Sequence, residues 1–170
     1  MPPAQGFLLQ RKNSFEGKAQ CAARQGDGQD ILMAPCDENV LSQVFQIDEE
    51  KTADNELVYR IKDKEGDKGV CVDVSFFNAI KTYRCKTERA GGIVPEKTRN
   101  QQFFILKAAE SQNDAPEFTI RQSKNSCLQL GANVNDRGDP LAHGVLRTEA
   151  CKGIDEQRFA LVPVRGTSTQ

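Results

Sequence analysis

Three hexapeptides decide the architecture: Ser42-Gln43-Val44-Phe45-Gln46-Ile47, Asn100-Gln101-Gln102-Phe103-Phe104-Ile105 and Glu156-Gln157-Arg158-Phe159-Ala160-Leu161. They align without a gap. Each places a glutamine two residues ahead of a phenylalanine, and the glutamines stand 58 and 56 residues apart. One Gln-x-Phe carries no information, but three copies at a nearly constant period mark a repeated supersecondary unit. A large aromatic at the end of each unit can meet its equivalents in a shared core. A glutamine amide, both donor and acceptor, can satisfy buried backbone groups.

Outward from each hexapeptide the resemblance continues. A cysteine pair lies upstream of each: Cys21 and Cys36, Cys71 and Cys85, Cys127 and Cys151. Each unit opens on a short β-rich run, Phe7-Leu8-Leu9-Gln10, Leu57-Val58-Tyr59-Arg60-Ile61 and Phe118-Thr119-Ile120-Arg121, followed by polar turn residues. Phe7 precedes Cys21 by the same fourteen residues that separate Leu57 from Cys71, and the third unit is tighter. The pattern predicts one all-β domain over residues 1–170, with four-stranded repeats at about 7–50, 57–108 and 117–164. Three such units cannot stack far as a solenoid. They close instead around a pseudo-threefold axis, which removes exposed sheet edges. Residues 86–99 and 131–144 read as loop expansions and the two ends, 1–5 and 166–170, as loose.

Composition agrees with one domain: 170 residues bury roughly 70% of the surface that the unfolded chain exposes. With 23 basic and 24 acidic residues the charges nearly cancel, so nucleic acid and acidic membranes are poor partners. No apolar run is long enough for membrane insertion. The start, Met1-Pro2-Pro3, lacks the regions of a signal peptide, which is compatible with a leader already removed. Six cysteines permit fifteen pairings, of which pairing within each couple is the simplest. None has the spacing of a zinc ribbon or redox motif, and the one histidine, His143, argues against a metal site. Disulfides would imply an oxidising compartment, hence a secreted or cell-surface protein; the rival is six buried thiols in the cytosol. Bridges closing loops of 14, 13 and 23 residues would contribute about 3 kcal/mol each.

These residues resemble the ricin B-chain (R-type lectin) family, whose repeats combine a Cys-(Leu/Val)-Asp start, a second half-cystine after a strand and a terminal Gln-x-Trp. The resemblance covers most of the chain, through Cys71-Val72-Asp73-Val74 and Cys127-Leu128-Gln129-Leu130. The chain departs from it in having Gln-x-Phe in all three units, a drift similar to that of toxin-delivery members such as the cell-binding subunits of cytolethal distending toxins. The resemblance implies a β-trefoil with one disulfide per repeat, Cys21–Cys36, Cys71–Cys85 and Cys127–Cys151. It also implies a sugar site in any repeat that keeps an aspartate after the first cysteine, a polar residue and an aromatic before the second, and an asparagine beside the motif glutamine. An aromatic face stacks on the C–H face of a galactose-like ring while carboxylate and amides take its hydroxyls. The second repeat keeps the set: Asp73, Lys81, Tyr83, Asn100 and Gln101, with lysine where the family more often has glutamine. The first has Ala23, Leu32, Ala34 and Ser42 there, and the third Gln129, Arg147, Glu149 and Glu156.

Plain readings stand beside these. Asp73 alone is a turn-capping carboxylate and Tyr83 alone a half-buried strand aromatic. Arg137-Gly138-Asp139 matches the integrin tripeptide, yet Gly-Asp-Pro is ordinary turn chemistry. Asn133, Asn135, Asp136 and Asp139 lack the order of a calcium loop. Phe76-Phe77 by default packs in the core, and Asp48-Glu49-Glu50 with Asp54 and Glu56 is expected to be an acidic connector between units, a solvated loop. No spacing of histidine, serine, cysteine or carboxylates suggests catalysis, so the expectation is a binding protein, not an enzyme, without cofactor. Its expected partners are cell-surface glycans or glycoproteins of the galactose or N-acetylgalactosamine type. The alternative is a degenerate trefoil that binds another protein subunit, as in a toxin or adhesion complex.

Overall fold

The computed structural model describes residues 6–12, 14, 17–52, 54–63, 69–75, 79–85, 100–108, 116–130 and 145–164. The 86–99 and 131–144 loops, with His143 and Arg137-Gly138-Asp139, lie outside the described residues, as do Phe76-Phe77 and both chain ends.

Alternating apolar and polar residues produce short strands, four to a unit. The first unit supplies β1 (Gly6–Arg11), β2 (Gln20–Ala23), β3 (Leu32–Pro35) and β4 (Gln46–Lys51). The second supplies β5 (Leu57–Lys62), β6 (Val70–Val74), β7 (Ile80–Arg84) and β8 (Phe104–Lys107). The third supplies β9 (Phe118–Ser123), β10 (Ser126–Leu130), β11 (Leu146–Ala150) and β12 (Phe159–Val164). Single 3₁₀ turns over Leu41–Gln43 and Asp155–Gln157 lead into the motif phenylalanines of the first and third units.

Six of these strands close a barrel. Between units, β4 pairs with β5, β8 with β9, and β12 with β1, all antiparallel. Within each unit the first and last strands meet at one residue pair: Phe7 with Phe45, Tyr59 with Phe103, and Phe118 with Phe159. Phe7 N–H donates to Phe45 O at 2.7 Å and Phe45 N–H to Phe7 O at 2.9 Å, and the same two bonds at the same lengths join Tyr59 and Phe103. The remaining strands form three hairpins, β2–β3, β6–β7 and β10–β11. These touch one another through the pairs Asp30 with Lys81, Leu32 with Val145, and Ala79 with Arg147. The fold is a β-trefoil.

Its core consists of triads, one member from each unit. The motif phenylalanines Phe45, Phe103 and Phe159 are fully buried in one cluster. With them stand Leu9, Ile61 and Ile120, each two residues past the strand contact just described, and Ala22, Val72 and Leu128, each following a first cysteine. Ile31, Ile80 and Leu146, each five residues before a second cysteine, join them where the hairpins converge, and Met33 and Val74 complete the cluster outside the triads. Burying a side chain of this size contributes about 1.5–3 kcal/mol, so the repeated positions carry much of the fold's stability.

Each cysteine couple forms a disulfide, Cys21–Cys36, Cys71–Cys85 and Cys127–Cys151, and none remains free. In each, the first half-cystine lies on the inner strand of a hairpin and the second just beyond the outer one.

The strand pairings revise one spacing. Phe7 is equivalent to Tyr59, not Leu57, because these two make the matching contacts to Phe45 and Phe103. Three residues later, Gln10, Lys62 and Arg121 each pair with the first cysteine of their unit. The fourteen-residue match to Leu57 is therefore offset by two. A two-residue shift keeps every side chain on its own face of the strand, so the hydrophobic pattern alone does not detect it.

Candidate functional site

The motif glutamines are clamps. Gln43, Gln101 and Gln157 are all buried. Gln43 donates from Nε2 to Pro35 O at 2.9 Å and accepts from Asp37 N–H at 2.9 Å. Gln157 repeats this on Ala150 O and Lys152 N–H, both at 2.8 Å. Gln101 donates to Arg84 O at 3.1 Å. Each amide thereby fixes the backbone beside the second half-cystine of its unit, so donor and acceptor capacity is used as the sequence suggests.

The candidate sugar-binding residues of the second unit gather around this clamp. Asp73 on β6 accepts from Gln101 Nε2 at 2.9 Å and from Asn100 Nδ2 at 3.2 Å. Hydrogen bonds to a carboxylate are stronger than neutral ones, so the three side chains form a fixed polar cluster. Lys81 lies directly across β6–β7 from Asp73, and Tyr83 directly across from Cys71. Opposed residues share a face, which puts Asp73, Lys81 and Tyr83 on the outer face of one hairpin, with Asp73 and Tyr83 as diagonal neighbours roughly 7–8 Å apart. The opposite face, Val72, Val74 and Ile80, belongs to the core.

Burial divides the cluster. Asp73 is only 4% exposed and Gln101 is fully buried, whereas Tyr83 is 36% exposed. The surface offered to a ligand is therefore the tyrosine ring and the lysine, with the carboxylate beneath them. The first unit supplies one wall. Its Gly28 N–H donates to Thr82 O at 2.6 Å, Thr82 Oγ1 donates to Gly26 O at 2.6 Å, and Lys81 Nζ lies 3.9 Å from Asp30. Gly28 has a φ of +74°, and a Cβ there would sit 3.6 Å from the Tyr83 ring. The turn thus needs glycine for its backbone and lies beside the aromatic. Residues 26–30 were not among the expected site residues; the Gly-Asp-Gly run at 26–28 signals only a turn.

Part of the cluster repeats where the sugar set does not. In the third unit Gln129, equivalent to Asp73, accepts from Gln157 Nε2 at 2.8 Å. The contact between this position and the motif glutamine is accordingly architectural, a tie across the base of each of these two units. Asn100 and Tyr83 are what the second unit adds. In the first unit Ala23 takes the equivalent position and cannot make the tie. A cavity of about 570 Å³ is lined by none of these residues and lies on the side of the barrel, between Thr52, Asp54 and Glu56 on one side and the end of β9 with Lys124 on the other.

Among solved structures the chain is similar to a mosquitocidal holotoxin, with a TM-score of 0.65 at 12% identity, over 97% of this chain and 18% of that one. It is also similar to the Haemophilus ducreyi cytolethal distending toxin, with a TM-score of 0.62 at 14% identity, over 100% of this chain and 91% of that one. The likeness is one of fold. This chain spans about 18% of the length of the holotoxin. No protein-family model and no curated protein sequence matches it.

Proposed function

We propose that the protein is a lectin-like cell-binding module of a secreted, toxin-type assembly, holding galactose- or N-acetylgalactosamine-type glycans on the outer face of β6–β7. The observation that carries this reading is the joint placement of Asp73, Asn100 and Gln101 in one hydrogen-bonded cluster beside a partly exposed Tyr83. The tyrosine supplies a stacking face and Lys81 a donor; the half-buried Asn100, oriented by Asp73 beneath it, takes ring hydroxyls. Three disulfides fit an extracellular setting. The shared fold with two toxins, one matched over 91% of its chain, supports a role in recognition at a cell surface. Binding alone is the activity, and the partner is a glycan or glycoprotein.

One shallow site of this kind holds a monosaccharide at about millimolar strength, about −4 kcal/mol, so useful avidity comes from clustering. The test is a glycan array probed with the disulfide-intact protein displayed multivalently, with Tyr83→Ala and Asn100→Ala in parallel. Galactosyl binding that both variants lose supports the site. A blank array from folded protein overturns it and favours a second reading, a protein-binding subunit without sugar recognition, to which the burial of Asp73 already points.

A further inference from the structure

The three junctions between units are pseudo-equivalent, and one differs in chemistry. Matching the strand contacts places Val58, Phe104 and Leu106 at the junction of the second and third units. At the junction of the first and second, the same positions are Gly6, Gln46 and Asp48, and Asp48 pairs with Lys62 at 2.5 Å. At the junction of the third and first they are Glu117, Ala160 and Val162. There Glu117 lies 3.6 Å from Lys12 and 3.7 Å from Arg158, and Lys12 lies 3.3 Å from Asp155. Two junctions are thus closed by ion pairs, whereas the remaining one holds the cavity of about 570 Å³, a size typical of ligand sites.

Arg121 makes the difference specific. It is the equivalent of Lys62, since both pair with the first cysteine of their unit. Lys62 finds Asp48; Arg121 finds Leu106 in that place. Its Nε donates instead to Thr119 Oγ1 at 3.0 Å and its Nη1 to Lys124 O at 3.0 Å, and no carboxylate pairs with it among the described residues. Leu106 is 47% exposed. The opposite rim of the cavity carries the exposed carboxylates of Asp54 and Glu56.

We propose that this groove docks an extended peptide segment of a partner protein. An acidic residue of that segment takes the place of the absent Asp48 counterpart against Arg121 and Lys124. An apolar side chain fills the floor of Val58, Phe104 and Leu106, and a basic residue faces Asp54 and Glu56. A floor of three apolar side chains between rims of opposite charge complements a segment with that order of residues, and reversing the segment's charges in the same chain direction puts like against like on both rims. The groove is separate from the β6–β7 site, so the two readings stand or fall independently.

The test uses the full, disulfide-intact chain against immobilised short synthetic peptides carrying a central Leu, Ile or Phe between Lys and Glu. Charge-swapped peptides, and peptides with glycine at the centre, serve as controls. Leu106→Asp gives Arg121 the partner that Asp48 gives Lys62, so it is expected to fold normally, close the groove and weaken binding about tenfold or more. Lys124→Glu should shift preference toward the charge-swapped set, and Tyr83→Ala should leave peptide binding unchanged. Equal binding of the test and swapped peptides, or undiminished binding by folded Leu106→Asp, overturns the proposal. So does concentration-dependent self-association in sedimentation that Leu106→Asp abolishes, which would make the occupant a second copy of this chain.

Discussion

Replacing Gln43 by alanine tests whether the motif glutamine holds the fold or only decorates it. Two backbone groups depend on this side chain, Pro35 C=O and Asp37 N–H, each at 2.9 Å. Stranding a buried backbone group costs about 1–3 kcal/mol. Pro35 and Asp37 lie at the surface, where water can partly replace the amide. The lower end of the range, about 1–1.5 kcal/mol for each group, therefore applies, and the expected loss is about 2–3 kcal/mol. With a urea m-value of about 2 kcal/mol/M, the midpoint falls by roughly 1–1.5 M; the melting temperature falls by roughly 5–10 °C. The assay is urea unfolding of the oxidised protein followed by circular dichroism, with unchanged m as the check that the same transition is compared. Gln43→Met retains the stem's bulk without its polar atoms, so a nearly equal loss assigns the effect to the hydrogen bonds. A Gln43→Ala midpoint within about 0.3 M of the wild type, under about 0.6 kcal/mol, would refute the clamp.

Three further outcomes follow from the same structure. Phe103→Ala should cost about 3–5 kcal/mol in the same urea assay, because Phe103 belongs to the central triad, while Phe104→Ala, half-buried on the outer face, should cost less. Asp48-Glu49-Glu50, expected as a solvated loop, is part of β4, and Glu50 forms a buried pair with Arg60 at 3.4 Å, so Glu50→Ala should cost about 3–5 kcal/mol, whereas Glu50→Leu combined with Arg60→Met should be close to neutral by the same measurement. Gly28→Ala forces a side chain onto a φ of +74° at a cost of about 1–2 kcal/mol, and altered Tyr83 fluorescence or ring NMR shifts would report the disturbed wall beside it.

The fold was legible because its determinants repeat. Gln43, Gln101 and Gln157, with Phe45, Phe103 and Phe159, occupy equivalent places and do equivalent physical work, so chance resemblance is averaged out over three copies. The cysteine pairing followed for the same reason. The β1 and β5 alignment did not, since a slip of two residues costs nothing in a pattern of period two. At the candidate site the sequence reading placed Asp73, Asn100 and Gln101 together, yet it held no sign that Gln129 and Gln157 share the same tie or that Asp73 lies below the surface. Both depend on how side chains from distant segments cover one another. The groove at Arg121 was invisible for a related reason: Val58 and Leu106 read as ordinary strand residues until the other two junctions show what could have stood there.

The pairing of Gly6 with Val164 makes the first and last strands of the described chain neighbours in the barrel wall. Polypeptide enters and leaves at a single point, with cross-strand Cα atoms roughly 5 Å apart. Such a unit can be grafted into a surface loop of a larger host without prising the loop open, and its ends can be joined and new ones cut at another turn, as in circular permutation. The same geometry has a cost: β1 and β12 are two sides of one seam, so trimming residues from either end unzips the ring at the same place.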